Sequence, residues 1–492
     1  MSKFILSIDQ GTSSSRAILF TLDGAVHALA QKELKLSYPQ DGGVEQNPQD
    51  IVDDTVWAVR KVITDSKVCI KDIAGVGITN QRETTIVWDR KTGAPVYNAI
   101  VWQDRRTSDF CASLKGNGIE DMVREKTGLL LDPYFSATKI KWILDNVDGA
   151  RTRAENGDLL FGTVDCYLLW HLTGRKVHAT DSTNASRTML YNIIGQNWDK
   201  DLLKLFSIPI SMMPEVRSNI SDYGRIDSDI IDDSLTIGGM AGDQQAALIG
   251  QGCLKAGMVK STYGTGCFAL LNTGDVPTQS THKLLTTIGY NIDGKLTYVL
   301  EGSIFNAGTA IQFLRDNMGF FDDAKESQAV ADTVDDAGGV FFVPAFTGLG
   351  APHWRPEARG IITGLNRDTK QAHIVRAALE AQGYQTRDLL EAMHNDSGQK
   401  IAKLRVDGGL VANDLMCQFL ADVLDASIER PKVAESTAWG AACLAGVQAG
   451  VFDDLEDAAS RWSADKIFTP QADSKAMDKK YAAWEVAVEK SY

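Results

Sequence analysis

The chain has 492 residues, 44% hydrophobic and 23% charged, which suits a globular protein large enough for two sizeable domains. Sixty-four acids against 50 bases give a net charge of −14 with no lysine or arginine cluster, which argues against a nucleic-acid surface. No run of 18 apolar residues and no leader-like start occur, and the seven cysteines form no CxxC pair. The expectation is a cytoplasmic protein without membrane insertion or a disulfide framework.

In chain order, FILSID (4–9) and RAILF (16–20) predict two strands joined by a Gly/Ser/Thr turn. Backbone amides at such a turn can converge on an anion. The hydroxyls of Thr12, Ser13 and Ser14 add short-reach donors, and Arg16 can bring charge to phosphate oxygens. Asp9, at the strand exit, is placed for a Mg²⁺ contact, or simply to accept amides of its own loop. Neither a P-loop nor a GxGxxG fingerprint is present. DIVDDTVWAVRKVI (50–63) and SATKIKWILDNV (136–147) carry apolar residues at helical spacing. Between the strand-like AGVGIT (74–79) and TTIVWD (84–89) stand Arg82 and Glu83, an adjacent donor and acceptor. They can grip two neighbouring hydroxyls of a polyol, or form a solvated surface pair. Trp102 and Tyr134 offer aromatic faces and a phenol to a neutral, hydroxylated small molecule.

GGMAGDQQAALIGQG (238–252) reads as a strand, a glycine, and Asp243 directly before a helix. As a helix cap, Asp243 is expected to have its pKa lowered by the helix's positive end. An ionised carboxylate beside a hydroxyl can orient it and take its proton late in phosphoryl transfer. The second half restarts the programme. MVKSTYGTGCFALL (258–271) is strand, glycine turn, strand, and KLTYVLEGS (295–303) leads into a helix after Asn-Ala-Gly. ARGIITGL (358–365) predicts a strand, and 369–396 one long helix or two joined at Gly383. LRVDGGLVAND (404–414) is a strand, a glycine pair and a helix start; 436–452 is a small-residue helix suited to close packing, and AWEVAVEK a short terminal helix. This is one α/β architecture written twice, with mixed strands, a boundary near residue 250, and a cleft between the halves as the expected ligand site.

Taken together, SIDQGTSSSRA, GITNQRETTIVWD, AIVWQDRR, YFSATKIKWIL, GMAGDQQAAL, STYGTGCF and WRPEARGIITGLNRDT resemble the FGGY carbohydrate kinase family over essentially the whole chain. Within that family the likeness is to members that phosphorylate glycerol. Kinases of a pentulose or gluconate, and a non-metabolic actin-like ATPase, are the alternatives. The resemblance implies a duplicated actin-like (ribonuclease H-like) ATPase fold with two domains, 1–250 and 251–492, around a central cleft. It also implies ATP and Mg²⁺, with glycerol converted to sn-glycerol 3-phosphate in a homodimer or homotetramer.

By the same resemblance Asp243 is the general base. Arg82, Glu83, Tyr134, Asp243 and Gln244 bind the polyol, and Trp102 and Phe268 flank its carbons. Thr12, Ser13, Ser14 and Arg16 meet the phosphates from one side and Thr265 from the other. Gly308, Gln312, Gly409 and Asn413 line the nucleoside side, and Asp9 serves the metal. The chain departs from the family pattern at Gly43, where an aromatic is usual, and at His353, where a tyrosine is usual. The segment 222–239 has no histidine and five aspartates (222, 227, 229, 232 and 233), so control by a bound sugar bisphosphate or by histidine phosphorylation is not expected.

Overall fold

Apolar side chains dense enough to bury both faces of a strand open the chain. In the structure, a computed structural model describing residues 3–232, 235–355 and 357–492, strand β1 (Phe4–Gln10) is buried from its second residue on. It runs antiparallel to β2 (Ser14–Thr21), which pairs with β3 (Val26–Glu33), and this register sets Asp9 opposite Arg16. The crossover helix α1 (Pro48–Ser66) starts where the Asn47 side chain accepts the Gln49 amide and proline takes the first helical position. It buries Ile51, Val52, Val59 and Val62 on the sheet. β4 (Ile73–Asn80) then joins β1 in parallel, and β5 (Ile237–Gly242) joins β4, giving the order β5-β4-β1-β2-β3.

The second sheet has seven strands: β6 (Val259–Tyr263), β7 (Cys267–Gly274), β8 (Leu285–Ile292), β9 (Lys295–Ile304), β10 (Lys403–Asp407), β11 (Ser427–Pro431) and β12 (Ala464–Phe468). Their order is β8-β9-β7-β6-β10-β11-β12. Without the outer β8 and β12, an antiparallel meander followed by two parallel additions repeats the plan of the first sheet. The duplication is one of topology.

Helices α2 (Ser136–Asn146), α3 (Asp243–Gly250), α4 (Gly308–Asp316), α5 (Gln371–Ser397), α6 (Asp414–Leu424) and α7 (Ser436–Gln448) complete what positions the site. α5 is one unbroken helix of 27 residues, which decides between the two alternatives at Gly383. A Cβ there would lie 2.6 Å from the Phe419 ring, so the glycine serves the crossing of α6 and not a break. Two expectations change. The strand predicted over 358–365 is only Ile361–Thr363, and the terminal helix is longer, Ser474–Glu489. Pro356, in the late matching segment, and Asp233, in the acidic one, lie outside the described residues.

Although late in the chain, α7 packs on the first sheet. Ala438, Trp439, Ala442 and Leu444 share a core with Ile5, Ile18 and Phe20. The halves are thereby joined by buried apolar surface. No helix among the described residues is long and apolar enough to cross a membrane.

Candidate active site

β5 ends at Gly242 and α3 begins with Asp243, so Gly242 is the cap and Asp243 the first helical residue. That corrects the expected capping role. Asp243 Oδ1 accepts from the Gln244 amide at 2.7 Å and lies 3.1 Å from Arg82 Nε. The expected lowering of its pKa is not found. Burial pushes the carboxyl up to about 6, with the Arg82 guanidinium pulling the other way. An eight-residue helix acts only over its first turn, and desolvation outweighs it. The side chain is nevertheless 32% exposed, which fits a group on the floor of a cleft with protein on its other sides. Beneath it the Gly242 amide donates to Thr183 Oγ1 at 2.9 Å, and that hydroxyl donates to Asp181 at 2.5 Å. Asn184 and Asn219 also donate to Asp181, so a buried polar scaffold fixes the strand end that carries Asp243.

Arg82 and Glu83 follow β4 and are 3% and 1% exposed, so the solvated-pair alternative is excluded. Glu83 takes a φ of +61°, a backbone strain that a non-glycine residue keeps only when its surroundings over-determine it. Those surroundings are a closed ring of charge. Arg82 Nη1 donates to Glu301 Oε2 at 2.6 Å, Arg187 Nη2 to Glu301 Oε1 at 2.9 Å, and Arg187 Nε to Glu83 Oε1 at 2.5 Å. Two guanidinium groups and two carboxylates balance. Burial pushes the Glu301 carboxyl up, but Arg187 and Arg82 bring it down to about 2. Glu301 belongs to β9 in the second half, and its partners to the first. Sequence reasoning did not single out Glu301 or Arg187, although both lie in segments it read, 114 residues apart.

Three of the predicted aromatics come together. Trp102 meets Tyr134 edge-on with ring centroids 5.6 Å apart, and Phe268, from β7, at 6.3 Å. Tyr134 also lies under the Arg187 guanidinium, 5.5 Å from its ring. Burial raises the phenol's pKa, so it stays a neutral hydroxyl. Trp102 Nε1 donates to Thr12 Oγ1 at 2.9 Å, which ties the aromatic wall to the first Gly/Ser/Thr turn.

That turn is closed by the Gly11 amide on the Ser14 carbonyl at 2.9 Å, with Ser13 exposed and Ser14 half-buried. Arg16 is held by two carboxylates, Asp9 and, at 2.7 Å, Glu435. Among the described residues no group of three His, Cys, Asp or Glu could hold a metal ion. Asp9, a single buried carboxylate paired with Arg16, still fits Mg²⁺, which takes one or two carboxylates and completes its shell with phosphate and water.

The second hairpin seats on the start of α4. Gly308 N donates to Gly264 O at 3.0 Å and Ala307 N to Thr265 O at 3.0 Å, and a Cβ on Gly308 would lie 2.6 Å from Gly264 O. Thr265 and Gly308 are thus adjacent, with Gln312 exposed one turn further along α4. Gly408, at φ +93°, folds the third glycine turn against the Tyr263 backbone and leaves Gly409 exposed beside it. Asn413 is different. Its Oδ1 caps α6 by accepting the Met416 amide at 3.0 Å, and its amide reaches Ser327 Oγ at 3.4 Å.

Of the two departures, Gly43 is buried, and a Cβ there would press on Gln40 Cγ at 2.8 Å, so Gln40 occupies the space beside it. His353 Nε2 meets Asp388 Oδ2 at 3.3 Å in a cluster with Tyr481 and Trp484.

A duplicated sheet plan, with a partly exposed carboxylate and a buried charge ring where the halves meet, defines a two-domain α/β protein of the actin, Hsp70 and sugar-kinase type. Within that class the chain belongs to the FGGY family of carbohydrate kinases, whose N-terminal domain matches residues 4–250 and C-terminal domain residues 259–449. It is 59% identical to a glycerol kinase of Nitrosomonas eutropha, over 99% of this chain and 97% of that one. It is 55% identical to a glycerol kinase of Alteromonas mediterranea, over 99% of both. A crystal structure of Plasmodium falciparum glycerol kinase with ADP superposes with a TM-score of 0.93 at 37% identity, covering 100% of this chain and 98% of that one.

Proposed function

We propose that this protein phosphorylates glycerol with ATP, giving sn-glycerol 3-phosphate and ADP. The observation that carries the reading is Asp243, partly exposed and 3.1 Å from a buried Arg82. Near-full-length identity to glycerol kinases supports glycerol as the acceptor. In this mechanism Arg82, Glu83, Tyr134 and Gln244 hold the hydroxyls, while Trp102 and Phe268 pack the carbons. The acceptor oxygen forms a bond to the γ-phosphorus as the bond to the ADP oxygen breaks, and the hydroxyl proton passes to Asp243. Thr12, Ser13, Ser14, Arg16 and Thr265 hold the phosphates; Gly308, Gln312, Gly409 and Asn413 line the nucleoside, Asn413 through its backbone and capped helix end. Asp9 would hold Mg²⁺, which would supply positive charge to the phosphates. To meet phosphate, Arg16 exchanges one of its two carboxylate partners.

The enzyme is cytoplasmic and a homodimer or homotetramer, with its domains meeting near residue 250; family likeness supports the assembly. A pentulose or gluconate kinase is the second reading. Structural neighbours with those names are 23% identical and speak for the fold alone, whereas the Trp102–Tyr134–Phe268 wall favours a small occupant. A coupled ADP assay with MgATP against glycerol, xylulose and gluconate tests the reading. Glycerol should give the highest kcat/KM, and a higher value for either sugar overturns it.

A further inference from the structure

Lys260 sits in β6 with no exposed surface. Its ammonium donates to Gln244 Oε1, to Thr262 Oγ1 at 3.0 Å and to the Phe268 carbonyl at 3.5 Å. All three donors therefore meet oxygen, and none meets a carboxylate. The charged groups facing it are Asp407 of β10, Asp243 of α3, Arg82 after β4 and Glu301 of β9. Burial lowers its pKa, and Asp407 and Asp243 oppose that. The residue belongs to the second half, and Gln244 to the helix that carries Asp243.

An ammonium has no acceptor, so only the oxygen of a carboxamide can face it. The contact therefore fixes which way round the Gln244 amide stands. With Oε1 on the ammonium, Nε2 is turned away from it. A hydroxyl beside a carboxamide oxygen could spend its single proton there, where it does no chemistry. Beside a carboxamide NH₂ it must accept, and its proton has Asp243 as its partner.

We propose that Lys260 is a positioning residue for the phosphoryl acceptor: it locks Gln244 as a donor to the reacting hydroxyl, so that the hydroxyl's own proton is directed to Asp243. This rests on the reading of the site as a glycerol-phosphorylating one. A second consequence is electrostatic. The Lys260 charge favours ionised Asp243, against the burial that raises its pKa.

The test is a cycle of Lys260→Met, Gln244→Met and the double variant in the full chain, with wild type beside them. Replacing both buried partners by apolar groups of similar shape leaves neither half of the Lys260–Gln244 contact unpaired, so the double variant is more secure in folding than Lys260→Met alone. Wild type must first turn over glycerol; if it does not, the underlying reading fails independently of Lys260.

Lys260→Met should lower glycerol kcat/KM roughly 10- to 100-fold. ADP affinity should hold, and the acid limb of the kcat/KM–pH profile should move up by roughly half a unit. The double variant should be no slower than Gln244→Met, because Lys260 acts through Gln244. Multiplicative losses, or an unmoved acid limb in a folded Lys260→Met, overturn the proposal. Should Lys260→Met alone lose its cooperative melt, the double variant compared with Gln244→Met decides. Equal rates support the positioning role, and a further tenfold loss assigns Lys260 a separate one.

Discussion

A carboxylate that must be ionised to act, yet is buried enough to resist ionisation, leaves two signatures at Asp243. With its carboxyl raised to about 6, kcat/KM for glycerol should climb through about pH 6 and level above it, in a steady-state pH profile. A flat profile from pH 5 to 8 would remove Asp243 as the base. The stability signature has the opposite sense. The folded pKa lies above the unfolded value, so the site is comfortable below the unfolded pKa and loses stability as pH rises through about 6. Asp243→Asn should therefore melt at or slightly above wild type at pH 8, and the difference should vanish near pH 4. Its kcat should fall roughly 10²- to 10⁴-fold while ADP affinity holds. A variant with near-wild-type kcat would reduce Asp243 to the first residue of a helix. The place of this residue at a strand–helix junction was legible from glycine, aspartate and two glutamines. Its pKa was not, because the opposing effects come from walls that only tertiary structure brings near.

At the scale of elements, the proposed base is carried by α3, and α3 is held by α7 through contacts that admit no side chain. A Cβ on Gly440 would lie 1.8 Å from the Ala246 carbonyl oxygen, a backbone atom that cannot swing aside. Gly440→Ala should therefore push the helices apart and cost roughly 3 kcal/mol in denaturant unfolding, the upper part of the usual overpacking range. Because Ala246 lies one turn after Asp243, kcat should drop as well. Unchanged stability would mean that α7 can slide without disturbing the site. The small-residue run at 436–452 announced close packing, but not which surface would receive it. In the same way, helical spacing located α1 and α2 closely, whereas Gly383 was ambiguous. Local preference counts against glycine within a helix, and the Phe419 ring that requires it stands on another element.

Over the whole molecule, the sequence showed two halves of like pattern with three glycine turns, and the strand orders match that duplication. What it did not show is how the halves hold each other at the site. Lys260, Arg187 and Glu301 lie in segments whose pattern gives these residues no role, and their meaning lies in partners up to 219 residues away. Glu301 is the clearest case, since one buried carboxylate from the second half answers two guanidinium groups of the first. Glu301→Gln keeps the shape and removes the charge, leaving the ring with a net buried positive charge. Breaking a buried ion pair on one side costs about 3–5 kcal/mol, which denaturant unfolding should read directly. Arg82 would also lose its anchor while keeping Asp243, so KM for glycerol should rise more than KM for ATP. A plain packing defect would not improve on removing a second member of the ring. Charge balance requires that it should, because Glu301→Gln combined with Arg187→Gln leaves Arg82 and Glu83 as one neutral pair. The double variant should therefore be more stable than Glu301→Gln alone; if it is less stable, shape and not charge is what the ring supplies.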